Sequence, residues 1–363
     1  MTLAIVLLVA GFVVLVLGAE WLVRGSARLA TAAGISPLVV GLTVVAFGTS
    51  APELAVSLMS AFQGKADIAL GNVVGSNIFN VLVILGLSAL IIPLVVHRQL
   101  VRFDIPVMIF LSLLMWVLAL DGRVGRIDGI VLASLAFGYT GYLIRRSRRE
   151  EAGVRLEYEK EYGSPEHGKP TAAEVMKMIG LVVIGTAGLV AGSKWLVDGA
   201  VFIAREFGVS ELIIGLTIIS LGTSLPEVAT SVVAALKGER DIAVGNIVGS
   251  NTFNIVSVLG IAAAVSPAGI SVPAEALRFD IPFMVVIAVA CWPMFADGHR
   301  VSRANGAVLL GAYAAYLAYL FFLATGREGA DLFYDIWLRA ALPAAIVAMA
   351  WMAARARRAA RKR

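Results

Sequence analysis

Apolar segments of roughly 20 residues, each long enough to cross a ~30 Å hydrocarbon core as an α-helix, follow one another along nearly the whole chain. Short polar stretches separate them. The pattern predicts eleven transmembrane helices, at about 2–22, 37–62, 68–94, 103–120, 127–145, 174–204, 211–236, 242–266, 279–296, 304–325 and 333–353. One long polar interruption, at about 145–171, is the candidate linker.

The first apolar segment has the length of a secretory signal peptide, but no basic region precedes it. Its end, Trp21-Leu22-Val23, also recurs inside the chain as Trp195-Leu196-Val197. We therefore interpret it as a transmembrane helix.

The chain contains an internal duplication. Residues 36–86 align without a gap on residues 210–260, with 27 of 51 positions identical, and the sequence Arg-Phe-Asp-Ile-Pro at 102–106 returns at 278–282. The predicted organisation is a first five-helix repeat at 1–145, a linker at 146–172, a second repeat at 173–326, and an extra helix with a basic tail at 327–363.

Five helices in each copy place the second copy in the membrane with the opposite orientation, as in many secondary transporters with inverted repeats. If the linker is cytoplasmic, 21 Lys and Arg residues lie in cytoplasmic loops and the tail, against 6 outside. The positive-inside rule then predicts an external N-terminus and a cytoplasmic C-terminus, in a prokaryotic cell membrane. The fold class predicted is an all-α polytopic membrane protein.

Composition supports this prediction, since 59% of the residues are hydrophobic, 15% are charged and the mean hydropathy is +0.88. A single cysteine, Cys291, cannot form an intramolecular disulfide, and three scattered histidines offer no zinc site. The pI near 9.4 reflects basic loops and the tail rather than a nucleic-acid surface. We expect no cofactor, and no obligate protein partner is indicated.

Two acidic motifs lie in the middle of apolar segments: Gly-Thr-Ser-Ala-Pro-Glu at 48–53 and Gly-Thr-Ser-Leu-Pro-Glu at 222–227. An ionised carboxylate at membrane depth is costly unless a cation or another partner compensates it. Glu53 and Glu227, at equivalent positions of the two copies, are therefore candidate functional residues.

The prolines of these motifs predict local helix opening. Pro52 and Pro226 lack an N–H and clash with the carbonyl four residues earlier, so the helices should open near Gly48 and Gly222. Carbonyl oxygens freed there could bind a cation where they line a cavity. A simple proline kink is the alternative, but it leaves both glutamates unexplained.

A second pair of motifs, Gly-Asn-x-x-Gly-Ser-Asn-x-Phe-Asn, occupies residues 71–80 and 245–254. The serine and the last asparagine are four residues apart and share one helical face, so they can present oxygens to one cavity. These candidates are Ser76, Asn80, Ser250 and Asn254. The glycines four residues apart favour close helix packing. The remaining asparagines, interpreted as caps of helix breaks, are Asn72, Asn77, Asn246 and Asn251.

These candidates offer oxygen ligands without sulfur or imidazole, a set that favours a hard cation over zinc or copper. The two glutamates supply two negative charges, which match one calcium ion, while Asn80 and Asn254 add neutral oxygens. Magnesium would keep several waters and fits such a protein-rich site less well.

On these motifs, the chain resembles the cation/calcium exchanger superfamily, and more narrowly the prokaryotic sodium/calcium exchangers, over about residues 1–325. The resemblance implies ten helices in two inverted halves with four adjacent ion sites between them. It also implies exchange of sodium for calcium by alternating access, electrogenic at the family's usual ratio of three sodium ions to one calcium ion.

The resemblance further implies a ligand set. Side-chain oxygens would come from Ser50, Glu53, Ser76, Asn80, Ser224, Glu227, Ser250 and Asn254, and backbone carbonyls from Ala46, Thr49, Ser220 and Thr223. The glutamates, with Thr49 and Thr223, would bind calcium, whereas the serines would help to form outer sodium sites.

Alternative functions differ in their coupling. Some family members carry Asp at the position of Asn254, a form associated in parts of the family with potassium dependence, so Asn predicts potassium independence. The proton/calcium branch tends to carry a second acidic residue in this helix, and proton coupling is therefore the second candidate. A passive cation channel is the third. No enzyme is predicted, because no nucleophile–base pair or metalloprotease motif is present.

Further charges occur in or beside the apolar segments. Oppositely charged residues four positions apart predict ion pairs at Glu20/Arg24 and, with both signs reversed, at Lys194/Asp198. A gating role is the alternative for these pairs. Asp104 and Asp280 are interpreted as anchors at the membrane interface.

Overall fold

The structure is a computed structural model that describes residues 2–63, 66–147, 171–207, 220–296 and 300–325, together with 343 and 347. Most of the predicted linker and nearly all of the predicted eleventh helix and basic tail lie outside the described residues. Predictions about those segments stay predictions.

In its described residues, the first half of the chain forms eight α-helices, with three π-helical segments and two short strands between them. The α-helices are α1 Thr2–Ala33, α2 Pro37–Val40, α3 Ala46–Thr49, α4 Ala51–Phe62, α5 Ala66–Phe79, α6 Gly86–Ile91, α7 Ile105–Leu118 and α8 Arg126–Ser147. The other elements are π1 Gly41–Val45, π2 Asn80–Leu85, π3 Leu100–Asp104, β1 Leu94–Val95 and β2 Arg123–Val124.

The second half repeats this order in the part that is described. Its α-helices are α9 Ala172–Glu206, α10 Ser220–Gly222, α11 Leu225–Leu236, α12 Arg240–Phe253, α13 Gly260–Val265, α14 Ile281–Ala296 and α15 Arg303–Thr325. The other elements are π4 Asn254–Leu259, π5 Ala276–Asp280, β3 Ile270–Ser271 and β4 Arg300–Val301.

Eight helices of the described residues are long and apolar enough to cross a membrane, and the bent pair Pro37–Thr49 with Ala51–Phe62 makes a ninth span. The predicted all-α polytopic class is confirmed. The count of eleven is not reached within this part of the chain: the predicted span 211–236 is described only from residue 220, and 333–353 is almost entirely outside.

Helix ends differ from the apolar boundaries. The first helix continues to Ala33, well past its predicted end at residue 22, and α9 begins at Ala172 behind a capping box formed by Thr171 and Glu174. A helix continues as long as its backbone and packing allow, so polar residues such as Arg24 and Arg28 extend α1 beyond the apolar stretch.

The predicted opening of the helix at 37–62 is real, but it lies at Ser50 rather than at Gly48. The helix axis bends there by 45°, and Pro52 occupies the first turn of α4. Proline is well tolerated at that position because its missing N–H would have no intrahelical partner. In the second copy α10 ends at Gly222 and α11 begins at Leu225.

Contacts between the two copies are reciprocal. Helix α8 packs on α13 and α15 on α6, while β1 pairs with β4 and β2 with β3. The arginine at the start of each long helix bonds a carbonyl of the other copy: Arg126 Nε donates to Ala264 O (2.8 Å) and Arg303 Nε to Leu90 O (3.1 Å). The copies therefore interlock instead of forming two independent units.

Helices α1 and α9 pack along much of their length through glycines. A Cβ atom added at Gly185 would lie 2.5 Å from the backbone nitrogen of Leu22, and one at Gly192 would lie 2.5 Å from that of Leu15. Small residues of this kind let transmembrane helices approach backbone to backbone.

Asp104 and Asp280, interpreted from the sequence as anchors at the membrane interface, each accept a hydrogen bond from a tyrosine of a later helix. Their place at the interface stays a prediction. Asp104 is fully buried and accepts a hydrogen bond from the Tyr139 hydroxyl (3.1 Å), which ties α8 to the start of α7. Asp280 accepts the equivalent bond from Tyr316 (3.1 Å). Burial of a carboxylate requires such a partner.

The two predicted ion pairs of α1 and α9 have different outcomes. Glu20 bonds Arg24 (3.4 Å) and, more closely, Lys237 at the end of α11 (2.6 Å). Lys194 and Asp198 are both exposed, and no ion pair joins them in the described structure. The helical spacing allows such a pair but does not enforce it, since exposed pairs contribute little free energy.

We expect Gly185→Ala to lower the melting temperature of the purified protein, because the added methyl group has no space between α1 and α9. Gly180→Ala is the matched control, since no described atom lies within 4 Å of a Cβ added there. Gly180→Ala brings the same gain in helix propensity as Gly185→Ala and should leave the melting temperature unchanged or raise it. Equal effects of the two substitutions would contradict the close packing at Gly185.

Candidate cation site

The two acidic motifs and the two asparagine motifs meet in the middle of the bundle. Helix α4, which carries Glu53, packs against α5 and against π4, whose first residue is Asn254. Helix α11, which carries Glu227, packs against α12 and against π2, whose first residue is Asn80. Each glutamate is thus placed beside the asparagine helix of its own copy and that of the other copy.

Both glutamates are buried, at 0% exposure for Glu53 and 1% for Glu227. Each accepts one hydrogen bond from a serine of the other copy. Ser224 Oγ donates to Glu53 Oε1 (3.3 Å), and Ser50 Oγ donates to Glu227 Oε1 (3.1 Å). The serines two positions before each proline, at the helix breaks, therefore connect the two copies.

Four oxygens of the predicted central residues have no hydrogen-bond partner in the described structure. They are Oε2 of Glu53, Oε2 of Glu227, Oδ1 of Asn80 and Oδ1 of Asn254, and all four are buried. A buried acceptor without a partner loses its hydration without compensation, which is unfavourable by ~1–3 kcal/mol and more for a charged group. Carboxylate and amide oxygens are of the type that hard cations bind in proteins.

The remaining predicted side chains contact one another across the two copies. Ser76 Oγ lies 3.2 Å from Ser224 Oγ, and Ser250 Oγ lies 3.5 Å from Thr49 Oγ1. The Thr223 hydroxyl donates to Asn72 Oδ1 (3.4 Å). The side chain of Ser220 lies outside the described residues.

Two backbone carbonyl oxygens near the helix breaks, which the prolines were expected to leave without partners, accept hydrogen bonds. Gly222 O, four residues before Pro226, accepts a hydrogen bond from the Ser193 hydroxyl of α9. Ala46 O accepts from the Ser50 amide (3.0 Å). The proline does release a carbonyl, but at Gly222 a neighbouring hydroxyl compensates it.

Asn72 and Asn246 do not cap helix breaks, so that interpretation was wrong. Asn72 Nδ2 donates to Ser57 Oγ (3.0 Å), and Asn246 Nδ2 donates to Ser231 Oγ (2.9 Å). Each amide joins its helix to the helix that carries a glutamate. Sequence reasoning missed both serines, although each follows a glutamate by four residues and both are repeated, which was a usable signal.

Asn80 and Asn254 begin π-helical segments. The wider turn follows directly after Phe79 and Phe253, and π-bulges of this kind are frequent at functional sites. The close packing predicted for the glycines holds in the second copy, where a Cβ added at Gly249 would lie 2.8 Å from the Leu42 backbone. It was wrong for the first copy, since no described atom lies within 4 Å of a Cβ added at Gly71 or Gly75.

The model of the family described as sodium/calcium exchanger protein matches residues 3–145 and 177–322, most of the chain. This chain belongs to that family. The two matched segments correspond to the two predicted repeats, and the acidic and asparagine motifs of both copies lie within them.

The matches between this chain and its relatives extend over nearly the whole length of each relative. Inner membrane protein YrbG of Escherichia coli strain K12 is 38% identical over 327 residues, 89% of this chain and 98% of YrbG. Sodium/calcium exchanger MaX1 of Methanosarcina acetivorans is 30% identical, covering 89% of this chain and 99% of MaX1. The solved sodium-calcium exchanger NCX_Mj superposes with a TM-score of 0.74 at 30% identity, covering 87% and 98% of the two chains.

We expect Ser193→Ala to destabilise the exchanger, because the carbonyl of Gly222 then loses its partner in a buried site, at a cost of about 1–3 kcal/mol. Ser26→Ala is the matched control on α1, since the buried Ser26 hydroxyl has no partner in the described structure. Thermal unfolding in detergent should separate the two variants. A Ser193→Ala protein as stable as Ser26→Ala would show that the hydrogen bond to Gly222 contributes nothing.

Proposed function

We propose that this protein is a secondary active antiporter that exchanges sodium for calcium by alternating access. The observation that carries the proposal is the set of four buried oxygens, on Glu53, Glu227, Asn80 and Asn254, that have no hydrogen-bond partner in the described structure. Family membership and the resemblance to MaX1 and NCX_Mj, both named as sodium/calcium exchangers, support the identity of the two ions.

The proposed ligand set has a centre and a periphery. Calcium would bind the two glutamates with Thr49 and Thr223, while sodium ions would occupy overlapping sites that the serines help to form. The complete proposed set is Glu53, Glu227, Asn80, Asn254, Ser50, Ser224, Ser76, Ser250, Thr49, Thr223, Ala46 and Ser220. Hydrogen bonds between the copies join Ser50 to Glu227 and Ser224 to Glu53, and Ser76 Oγ lies 3.2 Å from Ser224 Oγ, which supports this set.

Charge explains why transport should be coupled. Neither glutamate accepts a hydrogen bond from a lysine or arginine in the described structure, so two ionised carboxylates would stay uncompensated in the bundle without a cation. A conformational change that carries the empty site across the membrane is then unfavourable. Either one calcium ion or a set of sodium ions removes this electrostatic penalty. The conformational change is then favourable only with ions bound, so calcium and sodium are exchanged and the empty site does not cross the membrane.

The ion ratio and potassium independence are also proposals. Three sodium ions against two carboxylates leave one positive charge, whereas one calcium ion leaves none, so exchange would be electrogenic. The neutral amide of Asn254, in place of the Asp associated with potassium dependence in parts of the family, supports independence of potassium.

Location and orientation follow from the sequence and one relative. The excess of basic residues in alternate loops supports an external N-terminus and a cytoplasmic C-terminus. The similarity to an inner membrane protein of Escherichia coli supports a place in the prokaryotic cell membrane.

The decisive experiment uses proteoliposomes that are loaded with sodium and diluted into sodium-free medium containing labelled calcium. Wild type should take up calcium as sodium leaves, and Glu53→Gln and Glu227→Gln should each abolish uptake, because a neutral amide removes half of the site's charge. Glu206→Gln, an exposed residue at the end of α9, is the control for reconstitution.

Other outcomes identify the alternatives. Calcium uptake that depends on a pH gradient and not on the sodium gradient would show proton coupling. Uptake without any counter-ion would show a channel, and retention of sodium-driven uptake in both glutamine variants would refute the proposed centre.

Electrogenicity has a separate test in the same vesicles. When more positive charge leaves the vesicle as sodium than enters as calcium, the vesicle interior becomes negative. This potential opposes further exchange. With equal potassium on both sides, valinomycin should therefore accelerate calcium uptake, since potassium entry dissipates the potential. An unchanged rate would contradict a three-to-one ratio, and uptake that requires potassium without valinomycin would contradict potassium independence.

A further inference from the structure

An amide ligand has two different ends. The oxygen of Asn80 or Asn254 can bind a cation, but the NH2 group at the other end carries partial positive charge and opposes it. A site that uses these residues must therefore hold each amide with its nitrogen away from the centre. In the described structure the nitrogen of each amide donates to a residue of the other copy and the Oδ1 atom has no partner, which leaves the oxygen available to a cation.

The orientation of Asn254 depends on Asn77 of the other copy. Asn254 Nδ2 donates to Asn77 Oδ1 at 3.0 Å. Asn77 Nδ2 in turn lies 3.2 Å from the backbone carbonyl of Asn251 and 3.5 Å from the sulfur of Met284. A carbonyl oxygen and a thioether sulfur accept hydrogen bonds but cannot donate them. Asn77 must therefore direct its nitrogen to them and its oxygen to Asn254.

The orientation of Asn80 depends on Asn251 in the same way. Asn80 Nδ2 donates to Asn251 Oδ1 at 3.0 Å, and Asn251 Nδ2 lies 3.7 Å from the sulfur of Met108. The thioether again accepts only. Each copy thus supplies the residue that orients the site amide of the other copy.

Burial makes these constraints effective. Asn77 is 2% exposed and Asn251 is 3% exposed, so bulk water does not compete for their hydrogen-bonding groups. An amide with the opposite orientation would place a donor against a donor and an acceptor against an acceptor. The free-energy cost of these contacts is larger in a low-dielectric interior than in water.

We propose that Asn77 and Asn251 are positioning residues that hold the amide oxygens of Asn254 and Asn80 towards the transported cation. This inference rests on the proposed function of the site. Neither residue needs to contact the ion, since each acts through the amide of the opposite copy.

Asn77→Leu tests the inference. Leucine has a similar volume but no acceptor, so the Asn254 amide can rotate and present its nitrogen. We expect the calcium concentration for half-maximal sodium-driven uptake to rise by roughly tenfold, the order of one lost polar contact. Asn77→Ala provides a second variant if the leucine protein is unstable.

The rescue experiment separates positioning from mere structural support. In an Asn254→Asp background both terminal atoms are oxygens, so no orienting partner is needed, and adding Asn77→Leu should cause no further loss. In an Asn80→Asp background, the matched control, adding Asn77→Leu should still cause the full loss. Asn251→Leu should show the mirror pattern, with rescue by Asn80→Asp alone.

Equal losses in the two aspartate backgrounds would overturn the positioning role. Calcium-dependent thermal stabilisation of the purified variants gives the same comparison without transport, so it applies even if the counter-ion proves to be a proton. A wild-type protein that neither transports nor binds calcium would overturn the proposed function and this inference together. Normal wild-type exchange without selective rescue would overturn this inference alone.

Discussion

Two carboxylates that lie in an apolar bundle without a basic partner are the constraint on which the centre of this protein depends. Glu53 and Glu227 are buried, and in the described structure each carboxylate accepts a side-chain hydrogen bond from one serine while its second oxygen has no partner. Such an arrangement is unfavourable unless a cation or another partner compensates the charge. The serines at the two helix breaks bond these residues, and the π-helical segments that begin at Asn80 and Asn254 pack on the helices that carry them.

Reciprocity between the copies explains how a duplicated sequence forms one site. Serines, asparagines and arginines of one copy repeatedly bond the other copy, and the equivalent bond runs in the opposite direction. Because most of these contacts cross between the repeats, neither repeat alone supplies the proposed site. The duplication therefore produces an interlocked structure rather than two independent units.

Sequence reasoning succeeded where one residue type has a single physical explanation. Apolar segments of bilayer length predicted the polytopic class, and prolines beside buried glutamates predicted broken helices. It was less successful where several contacts were possible. Asn72 and Asn246 were interpreted as caps but bridge to Ser57 and Ser231. Lys194 and Asp198, predicted to pair, are not joined by an ion pair in the described structure.

The sequence by itself determined the membrane class, the duplication and the residues that bring charge into the bilayer, because hydropathy, repetition and the cost of a buried carboxylate depend on residue type and spacing alone. Only the tertiary structure decided which hydroxyl bonds which carboxylate and which end of each asparagine amide is left without a partner. Those choices depend on contacts between residues more than 140 positions apart, and no local pattern in the chain specifies them.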